Sequence, residues 1–168
     1  MPRVKIDVRD LDIYNRKISY LASEVTMIAT RALYVGAGLA ADDLRAATSA
    51  LQTVSNNAAM GAYQAKRPCY ISDTQKDGLL EHIGIASFRF SEEKINTSVG
   101  FTGYNNVQTR KWPGGQPNQM IAAICNHGTS GTMIRQPFIT VTYEVYKGTW
   151  LREMMKAATE EIDKIIEN

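Results

Sequence analysis

The chain has 168 residues, 44% of them hydrophobic and 21% charged, the profile of one globular domain (1–168) large enough to bury its own core. Its 19 Lys and Arg against 17 Asp and Glu leave a formal charge of +2, with no dense basic run, which argues against a dedicated nucleic-acid binder. No apolar stretch reaches the roughly 20 residues that a membrane span needs and no signal-peptide pattern opens the chain, so a cytoplasmic protein without membrane contact is expected.

At the N-terminus Val4, Ile6 and Val8 alternate with Lys5, Asp7 and Arg9, the period of a half-buried strand. Beyond Asp12 the period changes. Ile18, Leu21, Val25, Ile28, Ala32, Val35 and Leu39 recur at three- and four-residue steps, which predicts an amphipathic helix. The stripe resumes past Gly36 and Gly38 with Leu44, Ala47, Leu51 and Val54, so one long kinked helix is favoured over two consecutive ones. Ala32, Gly36 and Ala40 on that stripe permit close approach of another helix.

Ser55 to Ser72 is rich in turn formers and predicts an exposed loop. Asp77 to Ile83 predicts one or two helical turns. Ala86, Phe88 and Phe90, a turn at Ser91–Lys94, then Ile95, Thr97, Val99 and Phe101 predict a β-hairpin. A polar loop follows from Gly103 to Gln116. Pro117 stands where a short helix, about Asn118–Asn126, can begin, and Gly128 where it can end. From Pro137 and Phe138 onward Val141, Val145, Gly148, Leu151, Met155, Ala158, Ile162 and Ile165 keep a period near 3.5, a second long helix with a bend expected at Gly148. The sum is an α+β fold in which two long helices, N- and C-terminal, pack on a small antiparallel sheet with a central hairpin. Two narrow stripes in a chain of this size also leave apolar area for other copies to cover.

Chemistry is harder to find. Cys69 and Cys125 lie far apart, without CxxC or Cys/His metal spacing, so no disulfide framework, metal site or cofactor is expected. Cys125 and His127 together suggest a small thiol enzyme, but residues two apart point to different sides of a helix or strand, and nucleophile pairs usually come from separate segments. No catalytic residue is assigned on this basis. The carboxylate pairs Asp42–Asp43, Glu92–Glu93 and Glu160–Glu161 read as solvated surface. Tyr104 and Trp112 beside Arg110 and Lys111 suit base stacking, yet with so little net positive charge a loop that docks its aromatics on a neighbouring subunit is the better reading.

The second half of the chain carries a more specific pattern. Val99–Asn105, the run Lys111–Trp–Pro–Gly–Gly–Gln–Pro–Asn–Gln–Met120, Gly128–Thr–Ser130 and Pro137–Phe–Ile139 resemble in order and spacing a family of siphophage tail components, the head-tail joining or tail-completion proteins. The likeness runs from about Asp77 to the C-terminus. It departs from the family at Ile124–His127, where an acidic or serine-containing stretch is common, and at Thr140, where a basic residue often stands.

The resemblance implies a non-enzymatic structural protein of a tailed phage or prophage. It implies a ring of identical copies, sixfold to match the tail, that contacts the tail tube or terminator and the connector. DNA would pass transiently through the lumen. Assembly would take place in the host cytoplasm and the protein would end in the neck or the head-proximal tail of the virion. On this reading Gly128 and Thr129 end the short helix, with the Thr129 hydroxyl capping local backbone. Pro137 and Phe138 start and anchor the final helix, Trp112 is a candidate for subunit contact, and Arg135 for contact with another subunit or with passing DNA, a solvated surface arginine being the alternative.

Overall fold

The computed structural model describes residues 9–91 and 94–167, with side chains from Ile13 onward. The strand expected around Val4, Ile6 and Val8 and the Glu92–Glu93 pair lie outside the described residues. The elements run α1 (Arg9–Ser49), β1 (Thr53–Val54), α2 (Asn56–Gln64), β2 (Ile71–Ser72), α3 (Asp73–Glu81), β3 (Ile83–Ile85), β4 (Arg89–Phe90), β5 (Ile95–Asn96), β6 (Val99–Phe101), α4 (Asn118–His127) and α5 (Phe138–Glu167). The α+β architecture with two long terminal helices and small antiparallel sheets is the expected one.

Helix α1 runs 41 residues without interruption through Gly36 and Gly38. It stops at Ser49, short of Val54, where Ala50 N and Leu51 N donate back to Ala46 O and Thr48 O. The Lys76 ammonium donates to the Ser49 carbonyl, which the helix end leaves open, and to the Leu51 carbonyl just beyond it, at 2.6 and 3.0 Å. Leu51 is buried beyond the helix end, and the chain continues as β1, paired in parallel with β2.

The segment expected as a loop from Ser55 to Ser72 contains a helix. The Ser55 side chain accepts from the Ala58 amide, so the serine that reads as a turn former is the N-cap of α2. The segment is exposed as expected, since α2 has no buried residue. A second cap starts α3 earlier than the apolar pattern suggests. Ser72 Oγ accepts from Gln75 N, and Gln75 Oε1 from Ser72 N, a reciprocal capping box.

The hairpin is longer than expected. Ile83, Gly84 and Ile85 pair with Phe101, Gly100 and Val99, and Arg89 and Phe90 with Asn96 and Ile95. The sum of paired residue numbers shifts by one between the two ladders, the signature of a bulge near Ser87 and Phe88. Helix α4 keeps the expected bounds to within a residue, and α5 continues through Gly148.

The core gathers at one end of the molecule. Ala41, Leu44 and Leu51 meet Ile71, Leu79, Ile83, Phe101, Ile121, Ala122, Cys125 and Phe138, with the Phe101 and Phe138 rings 5.9 Å apart. From this body α1 and α5 leave together as an antiparallel pair. Trp150 Nε1 donates to Asp43 Oδ2 at 2.6 Å, Met154 seats on Gly36, where any Cβ would lie 2.3 Å from its Sδ, Arg31 pairs with Glu161, and Lys17 reaches the Ile166 carbonyl. At 1.5 Å per residue the two helices are about 60 and 45 Å long, so much of this arm lies beyond the core.

The arm carries an acid-sensitive contact. The hydrogen bond from Lys164 and the charge of Arg31 hold the Glu161 carboxyl below its usual 4.5. A carboxylate depressed by folding contributes stability above its ordinary value and loses it as pH falls through the folded one. Thermal melts of the wild type and of Glu161→Gln should therefore differ most above pH 4.5 and converge in more acidic buffer. A constant difference across that window contradicts the assignment.

Candidate subunit-contact site

Helix α4 ends because Gly128 adopts φ 74° and ψ 174° while its amide donates to the Ile124 carbonyl at 2.7 Å. That backbone is one only glycine adopts cheaply. A Cβ here would lie 3.1 Å from Arg135 Cβ and 3.3 Å from the Met133 carbonyl, so the glycine also lets the chain fold back on itself and brings Arg135 against it. Between them Thr129 N donates to Met133 O, and Gly131 turns the chain with φ 83°. The Thr129 hydroxyl bonds the Thr132 hydroxyl at 2.7 Å. It ties the two limbs of this turn together rather than capping backbone.

The turn is anchored on one limb. Cys69 N donates to Thr132 O and Ile134 N to Cys69 O, which fastens residues 132–134 to the segment after α2. Thr129, Ser130, Gly131 and Arg135 remain exposed.

The residues that hold this segment were not among the candidates. Gln136 Oε1 accepts from Gln52 N at 2.8 Å and its Nε2 donates to Gln52 O at 3.0 Å, a two-bond clamp on the chain leaving α1. Buried Asn126 accepts from Ile139 N and Thr140 N at 3.0 and 3.1 Å. It therefore caps the first turn of α5 from the preceding helix, while its Nδ2 donates to Thr140 Oγ1. Pro137 sits just ahead of α5, and Phe138, its first residue, is buried.

Trp112 belongs to a different loop. Thr109 and Trp112 exchange backbone hydrogen bonds, the ring is half-buried, and Lys111 Nζ lies 5.5 Å from its centroid. The loop is closed by Asn105 N donating to Gln116 O and by Gly115, whose φ of 104° lets it pass under the Asn105 carbonyl. Tyr104 beside it is exposed. At the other end Asn118, fully buried, donates to Thr102 O. Asn118 and Asn105 both pack against Gly78.

The Cys125–His127 pair is split by the fold. Cys125 is fully buried in the core, accepts a long hydrogen bond from Gln136 Nε2, and is pushed up to about 11 by burial. His127 is exposed, with Nε2 near Asn126 Nδ2. A thiol so placed is not a ready thiolate. In the native protein a thiol reagent near pH 8 should leave Cys125 unmodified until unfolding, as peptide mass mapping would show; rapid native labelling would contradict this burial.

Among the described residues no group of three His, Cys, Asp or Glu is placed to hold a metal ion, and no helix is long and apolar enough to cross a membrane. Compared with protein-family models, curated proteins and solved structures, the chain matches none.

Proposed function

We propose that the protein is a structural component of a tailed phage or prophage that joins head and tail, or completes the tail end, by assembling with copies of itself and with tail-tube, terminator or connector proteins. The resemblance of the Gly128–Thr–Ser130 and Pro137–Phe138 segments to joining proteins motivates the reading. The observation that carries it is how the polar groups of that segment are used. Gln136 and Asn126 bind the chain's own backbone, the thiol is buried, and what faces outward is a glycine-built turn bearing Arg135. This use of the polar groups supports a scaffold that presents a contact surface.

On this reading Arg135 and the Trp112 loop meet other subunits, assembly takes place in the host cytoplasm, and the copies end in the neck or head-proximal tail. DNA passing through such a ring needs no strongly basic lining, which agrees with the net charge of +2.

The test mixes the purified chain with the tail-tube and connector proteins encoded beside it. The expected result is a stoichiometric complex by light scattering, weakened at least tenfold by Arg135→Glu. A chain that ignores every such partner would overturn the joining role.

A further inference from the structure

Strand β3 has a sheet partner on one side only. Thr102 N donates to His82 O and Ala86 N to Ser98 O, so the even-numbered residues of this strand exchange hydrogen bonds with β6 and the odd-numbered ones do not. The backbone amides and carbonyls of Ile83 and Ile85 therefore point to the other side, away from β6. The run Ile83–Gly–Ile–Ala–Ser–Phe88 carries no charge and no proline, two of the devices that keep a sheet edge from pairing.

Along this edge lies an open groove of about 550 Å³, with residues 83–88 as one wall and Tyr34, Gly38, Ala41, Asp42 and Arg45 of α1 as the other. A Cβ added at Gly38 or at Gly84 meets nothing within 4 Å, so a further backbone can come close. The Tyr34 and Phe88 rings, 6.4 Å apart, mark one end. Asp42 and Arg45, paired at 3.1 Å, put a charge of each sign on the rim. From Tyr34 to Arg45 the α1 wall is about 16 Å long, the span of roughly five residues of extended chain.

An edge of this kind takes a strand, and the sequence offers one that belongs to none of the described sheets. Val4, Ile6 and Val8 alternate with Lys5 and Asp7. Residues 4–8 therefore match the groove in length, bring an apolar row to the isoleucine edge and carry a charge of each sign for the rim. The chain's own segment cannot reach the groove. Tyr34 lies 25 residues along α1 from Arg9, about 37 Å of helix, whereas eight residues ahead of Arg9 span at most about 29 Å.

We infer that residues 4–8 of one copy of this chain add as a strand to the free edge of β3 in a second copy. Main-chain hydrogen bonds with Ile83 and Ile85 hold the donated strand, and its alternation sets which side chains meet the groove. The contact is a strand donation. It asks nothing of a partner protein or of a closed ring, and the joining role neither supplies it nor depends on it.

The test uses the full-length chain carrying Ile6→Asp, whose own segment no longer competes, and a dye-labelled peptide of residues 1–9, followed by fluorescence polarisation. The peptide should bind saturably, and the same peptide with Ile6→Asp about tenfold more weakly or worse, since it loses one buried apolar side chain. Gly38→Phe, added to the chain, should weaken binding by a similar factor because it fills the groove, while the thermal midpoint holds or rises because glycine is a poor helix former. On binding, hydrogen exchange of the Ile83 and Ile85 amides, read by NMR, should slow about tenfold or more, and that of Ala86, which already donates to Ser98, should stay as it was. A peptide that does not bind, binding indifferent to Gly38→Phe, or binding that leaves the Ile83 and Ile85 amides unprotected would overturn the inference. So would protection of those two amides in the Ile6→Asp chain without peptide. None of these results touches the binding of tube or connector proteins, by which the joining role stands or falls.

Discussion

Replacing Gly115 by alanine should lower the thermal midpoint by about 10 °C, whereas the same change at the adjacent Gly114 should leave it nearly unmoved. Gly115 has φ 104°, and an added Cβ would stand 2.0 Å from the Asn105 carbonyl oxygen and 3.2 Å from its carbon. Those atoms are backbone and cannot swing aside. Asn105 is itself buried, and its amide closes the loop on Gln116 at 2.9 Å. Strained backbone costs about 1–3 kcal/mol and overpacking about as much again, so roughly 3–5 kcal/mol is expected. At Gly114 a Cβ meets nothing within 4 Å. Equal effects at the two positions would mean that the loop closure contributes nothing.

The second large effect is expected at Asn126. Its side-chain oxygen serves two amides of the first turn of α5, and Phe138 in that turn packs on Phe101 in the core. Asn126→Ala removes a cap and leaves donors without a partner in a partly buried place, a loss of about 2–3 kcal/mol. Asn126→Asp keeps the oxygen that both amides use and brings a negative charge to the N-terminus of α5, which favours it, but it buries that charge in the last turn of α4, which does not, and loses the amide donor to Thr140 Oγ1. Urea unfolding should therefore rank wild type first, the aspartate variant next and the alanine variant last. An alanine variant as stable as wild type would show that α5 does not depend on this cap.

Much of the fold is legible because local chemistry and burial agree. Pro117 and Gly128 mark α4 at both ends, and the alternation from Ala86 to Phe101 marks the hairpin, whose register then extends to Ile83 through pairing that no local pattern reports. Where the reading failed, a tertiary partner or an ambiguous cap decided. Ser55 followed by two asparagines suits a turn and a helix N-cap equally. The last carbonyl of α1, that of Ser49, is covered by Lys76, 27 residues away in the chain.

The α5 stripe shows a different limit. A repeat near 3.5 marks apolar residues that pack against a helix, but it does not say whether that helix belongs to the same chain. Leu151 and Met155 fit the repeat and are 57% and 62% exposed, while Trp150 and Met154 make the intramolecular contact. At the candidate site the glycine and proline positions could be read directly, because special backbone conformations demand those residues. Gln136 and Asn126 could not. Each looks like an ordinary polar residue until Gln52, 84 positions away, or the start of α5 is placed beside it.

The proposed joining role is tested most directly by electron microscopy of particles made when this chain is deleted from the phage or prophage that the proposal assigns it to. The expected result is DNA-filled heads and separate tails, with whole virions restored when the chain is supplied from a plasmid. Intact, infectious particles in its absence would contradict the account.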